Sequence, residues 1–239
     1  MGRAFEVRAA SMAKTNLMKS KLYSKYGKLI YMEAKNGGYD MDANLKLRAL
    51  VDKAKHDQVP ADVIKRNIEK AKGGTGESYT TCRYEAFGPS SSVLIIDCVT
   101  DNTNRTISVI RNILAKNKAK LGAPGSVSHL FEHLSIISFI DDDEDAVLEV
   151  LIEADLNLKE IKKDQDMITL YGMPSEFDKL KQVLINYRKN IVFNNEMVTL
   201  LPYQQITLNQ KEKEVFEHLL ESLDNNEDVE VVFHNVKLI

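Results

Sequence analysis

Over about the first 75 residues the apolar positions recur at helical spacing. Leu22, Tyr26, Leu29, Ile30 and Glu33 share one helical face, and the Asn36-Gly37-Gly38 triplet is a C-terminal stop. A second helix starts near Asp42, with Leu47, Leu50, Val51 and Ala54 at steps of three and four. Pro60 suits the first turn of a third helix, whose apolar face is Val63, Ile64, Ile68 and Ala71. The glycines of "KGGTGES", 72 to 78, end that helix and supply a linker. The pattern predicts a three-helix unit behind a loose amino-terminal arm.

Beyond the linker the period changes. "SVLIIDCVT" reads as a strand, "NRTISVIRNILAKNKAKLG" as a helix stopped by Gly122, and "GSVSHLF" as a returning strand. Between 134 and 201 the order is strand ("LSIISFI"), helix ("DDDEDAVLEVLIEA"), two short strands ("LKEIKK", "DMITLYG"), helix ("PSEFDKLKQVLINYRK") and strand ("IVFNNEMVTL"). That is the βαββαβ order of a ferredoxin-like unit. A last helix ("NQKEKEVFEHLLESL") and strand ("VEVVFHN") then complete the unfinished unit that began near 79. The expected fold class is α+β: an N-terminal three-helix domain (1–76), a discontinuous α/β domain (77–133 plus 205–239) and a second ferredoxin-like α/β domain inserted in it (134–204).

Charge changes this picture. Residues 1 to 76 hold 16 Lys and Arg against 8 Asp and Glu, whereas the whole chain carries a net −3, so the remainder is acidic. A basic front suits a polyanion, and the acidic α/β domains are the expected place for protein partners. The start has no apolar targeting region, no apolar run approaches the ~20 residues that span a bilayer, and a cytoplasmic protein is expected. Cys82 and Cys98 lack metal-site or disulfide-framework spacing.

The basic front contains a pattern. Lys14, Lys21, Lys25, Lys28 and Lys35 are separated by steps of 7, 4, 3 and 7, which keeps them on one slowly drifting helical stripe. Between residues 7 and 32 there is no acid to partner them. Close like charges on a helix repel by about 0.2–0.5 kcal/mol per pair, so a merely solvated face would normally carry acids at i+4. The stripe therefore points to nucleic-acid phosphates. Tyr23, Tyr26 and Tyr31 are candidates for stacking on unpaired bases, although Tyr26 shares the apolar face.

The segments "MGRAFEVRAASMAK", "KNGGYDMDANLKLRALVDKAKHDQVPADVIKRNIEKAKGG", "YEAFGPSSSVLIIDCVTDNTNRT" and "GSVSHLFEH" together resemble the YebC/PmpR family, and the opening resembles its YeeN-like branch. The likeness is collinear to about residue 135 and looser beyond. It implies a helical domain followed by two α/β domains. It also implies one of two roles, since members are described as probable DNA-binding transcriptional regulators in the cytoplasm, and some relatives as translation factors on the ribosome. By position it carries a nucleic-acid-binding role to Arg3, Arg8, Lys14, Lys21, Lys25 and Lys28; Lys35 joins them through the stripe.

Other clusters read more modestly. "DNTNRT" sits where a strand hands over to a helix, so Asn102, Thr103 or Asn104 can cap that helix, with Arg105 a secondary candidate for a phosphate or peptide contact. His129 and His133 on a strand would stand some 13 Å apart, by the ~3.3 Å rise, too far for one ion. "DDDED", 141 to 145, complements a helix N-terminus. "FGPSSS" and "KGGTG" lack the Lys-Ser/Thr ending of a phosphate-binding loop. No metal, cofactor or small-molecule substrate is expected, and no catalytic motif is recognisable. The expected activity is binding: a DNA-binding transcriptional regulator, or alternatively a ribosome-associated translation factor that contacts rRNA or tRNA. The Lys-dominated helix favours backbone or shape recognition over base reading.

Overall fold

The computed structural model describes the backbone of residues 3–73 and 78–238 and the side chains of residues 19–73 and 78–238. Three helices come first: α1 (Arg3–Gly37), α2 (Leu45–His56) and α3 (Ala61–Lys72). They are followed by β1 (Thr80–Phe87), β2 (Val93–Thr100), α4 (Thr103–Lys116), β3 (Lys120–Leu121), β4 (Phe131–Ile140) and α5 (Glu144–Glu153). The remaining elements are β5 (Leu158–Asp164), β6 (Met167–Gly172), α6 (Phe177–Tyr187), β7 (Phe193–Pro202), α7 (Gln210–Asp224) and β8 (Val229–His234). Contacts divide the chain into two compact units, one of residues 1–127 and 208–232, the other of residues 128–207 and 233–237.

In the first unit α1 lays Tyr26, Ile30 and Ala34 against Leu47, Val51 and Ala54 of α2 and Ile64 of α3. Each of the larger aliphatic side chains contributes roughly 1.5–3 kcal/mol of burial, enough to hold short helices that would be marginal alone. The first helix already begins at Arg3, so the backbone expected as a loose arm is helical. It stops where Gly38 takes φ +90°, a conformation a side chain resists. Asn44 secures the next turn: its carbonyl oxygen accepts the Leu47 amide at 3.0 Å, and its Nδ2 donates to Glu33 O (3.0 Å) and Gly38 O (2.8 Å).

The same unit holds a four-stranded sheet in the order β3-β1-β2-β8. Antiparallel β1 and β2 run in register from Thr80↔Thr100 to Phe87↔Val93. Strand β1 was not expected from the pattern; its Arg83 and Glu85 look unsuited to a sheet until their partners are known. Arg83 is forked onto Asp97 across the pair at 2.6 and 2.7 Å, and buried Glu85 accepts the amides of Gly125 (2.7 Å) and Val127 (2.5 Å). Those amides also correct the "GSVSHLF" strand. Residues 122–127 wrap around Glu85, a 3-10 turn follows at Ser128–Leu130, and the next strand starts only at Phe131. Helices α4 and α7 pack on each other and bury Ile110, Leu114, Phe216, Leu219 and Leu223.

The second unit contains the order β5-β6-β4-β7, with every neighbouring pair antiparallel. This is the expected split βαβ arrangement. Ile137, Phe139, Ile168 and Leu170 of the sheet meet Val147 and Leu151 of α5 and Leu180 and Leu184 of α6 in one core. Asp143 caps α5 by accepting the Ala146 amide at 2.9 Å. No described helix is long and apolar enough to cross a membrane.

Candidate nucleic-acid interface

The lysine stripe on α1 divides. The side chains of Arg3, Arg8 and Lys14 lie outside the described residues. Lys21 donates to the Asn225 side chain, and Lys25 to the Glu230 backbone carbonyl, with the Glu230 carboxylate 3.4 Å away. Lys28 is nearly enclosed, 2.8 Å from the Asp228 carboxylate and 2.9 Å from Glu227 O. The expectation of unpartnered lysines is thus corrected for Lys25 and Lys28. Their counter-charges lie about two hundred residues downstream and are invisible to a search for acids at i+4. Lys35, in the last turn of α1, remains on the exposed surface.

Asp228 is the centre of this contact. Thr106 Oγ1 lies 2.8 Å and Thr100 Oγ1 3.2 Å from its Oδ2, and the Arg105 guanidinium approaches the same oxygen at 3.6 Å. Burial pushes this carboxyl upward, but hydrogen bonds from Lys28 and Thr106 and the Lys28 charge outweigh it and leave Asp228 below the ordinary Asp value. At Glu230 burial wins, and Lys25 offsets only part of the rise. Arg105 also pairs with Asp101, while Asn102 caps α4 through the Arg105 amide at 3.0 Å. "DNTNRT" therefore acts in the described structure as a cap and as one wall of the Asp228 network.

The aromatic candidates are used internally. Tyr26 is buried and donates to Asp57; burial first and that acceptor second push its phenol up. Tyr31 is buried edge-to-face with Tyr79 at 5.7 Å, and Tyr23 packs on the helical core. The loop that follows α1 behaves differently, presenting Tyr39, Met41 and Leu45 at 55%, 40% and 72% exposure. Among the described residues no cluster of His, Cys, Asp and Glu could hold a metal ion; His129 lies in the 3-10 turn and His133 on β4.

Comparison with known families places this geometry. Residues 3–74 match the model described as the TACO1/YebC protein N-terminal domain, and residues 79–236 match that of the TACO1/YebC second and third domain. The chain belongs to the TACO1/YebC family. A relative from Pseudoalteromonas atlantica, named "Probable transcriptional regulatory protein", is 47% identical over 98% of this chain and 97% of its own. One of the same name from Alcanivorax borkumensis is 44% identical over the whole of both chains. The crystal structure of a conserved hypothetical protein from Aquifex aeolicus matches with a TM-score of 0.72 at 27% identity, covering 91% of this chain and 90% of that one.

Proposed function

We propose that this TACO1/YebC protein is a nucleic-acid-binding regulator, a DNA-binding transcriptional regulator in the sense of its relatives' names, acting by binding through the N-terminal helical domain and without covalent chemistry. The observation that carries the reading is the surface of α1–α3: Lys35, Lys46, Arg48, Lys53, Lys55 and Arg66 are all exposed there, on a segment whose charge balance is strongly positive. Arg3, Arg8, Lys14 and Lys35 are the proposed direct phosphate contacts. Lys21, Lys25 and Lys28 continue the same helix as supports, because a polyanion reaching them must compete with Asn225, Glu230 and Asp228. Arg105, forked between Asp101 and Asp228, is a secondary contact in the same proposal. The three-domain division at 76/77 and 133/134 belongs to it as well, with protein partners at the acidic α/β domains. There α5 exposes Leu148 and Ile152 beside Asp145, Glu149 and Glu153.

A second reading, a ribosome-associated translation factor, is favoured by the kind of cation present. Among the described side chains of α1–α3 the exposed cations are mostly Lys, a phosphate point charge, and the exposed arginines sit on different helices, Arg48 on α2 within 3.8 Å of Asp42 and Arg66 on α3. Sucrose-gradient fractionation at physiological salt, run beside duplex-DNA titration, separates the two. The regulator reading expects a duplex preference that survives salt, with the protein at the top of the gradient. Co-sedimentation with ribosomes, and duplex binding that is sequence-blind and salt-fragile, would replace it with the translation reading.

A further inference from the structure

We infer that the loop joining α1 to α2 is a stacking platform for an unpaired nucleobase, with Tyr39 as the ring and lysines from the ends of α1 and α3 as phosphate contacts. The inference rests on the nucleic-acid reading above and names what that domain takes: a single-stranded or looped segment.

Three features converge on Tyr39. The ring is more than half exposed, and Lys72 Nζ lies 4.7 Å from its centroid. Lys35 and Lys70, from the last turns of α1 and α3, stand 5.5 and 5.9 Å from the centroid of the buried Tyr31 ring. The loop is also held in shape before any ligand arrives. Gly38 makes the turn at φ +90°, Asn44 ties Glu33 to Gly38, and the Asp40 carbonyl accepts the Asn44 amide at 2.8 Å. A loop already ordered loses little freedom on binding, which favours a stacked base.

A plainer account covers part of this. Lys35, Lys70 and Lys72 lie in the last turns of their helices, where cations complement the helix dipole. Dipole compensation explains the lysines but leaves the exposed Tyr39, Met41 and Leu45 without a reason, since water is a poor setting for three neighbouring apolar groups. Two acids sit in the same loop and must be counted. Asp40 accepts the Asp42 amide at 3.0 Å, and Asp42 faces Arg48 at 3.8 Å, so both are engaged within the loop and the α2 start. The lysines lie toward α1 and α3. A base stacked on Tyr39 would bring its phosphates beside Lys72, with Lys35 and Lys70 near the same helix ends, and every base has a face to stack.

The test uses the full-length protein and three probes of one sequence, each carrying 2-aminopurine: a ten-nucleotide single-stranded RNA, the same strand as DNA, and the DNA duplex. Tyr39→Ala is expected to weaken single-strand binding roughly 5- to 100-fold and to lose the change in 2-aminopurine fluorescence that stacking produces. Tyr39→Phe keeps both, and duplex affinity is the same for all three proteins. Thermal melting of each variant checks the fold, which an exposed ring should barely affect. Single-strand affinity unchanged in Tyr39→Ala, or an equal loss on the duplex, overturns the platform while leaving the nucleic-acid reading intact. Failure of the unsubstituted protein to bind any of the three overturns both. The RNA and DNA arms identify which strand the site prefers.

Discussion

Asp228 shows how one residue can be read wrongly from either end of the chain. In the sequence it is one acid in an acidic tail; in the fold it is buried and closes an ion pair with Lys28. Removing one member of a buried pair leaves an uncompensated charge, so Asp228→Asn is expected to cost about 3 kcal/mol in urea unfolding. The pH dependence gives a second test. The folded carboxyl of Asp228 lies below its ordinary value, so its stabilisation is present above the unfolded value and disappears as pH falls through the folded one. Glu230 has the opposite sign: its folded carboxyl is raised, so its contribution is present at low pH and fades as pH rises through the raised value. Unfolding midpoints between pH 3 and 7 should therefore show a shallower acid loss in Asp228→Asn. Glu230→Gln should cost less than Asp228→Asn at pH 7. Equal costs at pH 7 would mean that Lys25 and Lys28 hold their acids alike.

Among the elements, helices and the second sheet were legible because each carries its own period. Leu47, Val51 and Ala54 announce a buried stripe without any knowledge of the partner, and all three are buried. The βαββαβ order was readable for the same reason, since Ile137, Phe139, Ile168 and Leu170 alternate with the opposite face. Strand β1 escaped because Arg83 and Glu85 find partners outside the strand, in Asp97 and in the 122–127 loop. The loop after α1 is the element most open to a local test. Gly38→Ala places a side chain at φ +90° in open space, so the cost is that of the backbone alone, about 1–2 kcal/mol by thermal or chemical unfolding. Gly37→Ala should do more harm to the loop itself, because its Cβ would stand 2.6 Å from Nδ2 of the Asn44 side chain. Weakened single-strand binding in Gly37→Ala, with Tyr39 still present, is the expected sign that the loop's shape matters.

At the scale of the whole molecule, the first unit is closed by its C-terminal strand. A chain ending at residue 224 lacks β8 and with it Asp228 and Glu230, the partners of Lys28 and Lys25. Such a truncation is expected to broaden the unfolding transition and to lower hydrogen-exchange protection in the α1 segment 21–35; unchanged protection there would show that the α2 and α3 core holds α1 unaided. By itself the sequence determined most of the helices and the strands of the second sheet, the α+β class and the basic character of the front, because these depend on composition and on local periods of burial. Its long motifs were also enough for the family resemblance. Only the tertiary structure decided what Lys25 and Lys28 do: both meet acids at the start of the last strand, Glu230 and Asp228. Charge pairing depends on distance in space, and a contact across two hundred residues leaves no periodic trace in the chain.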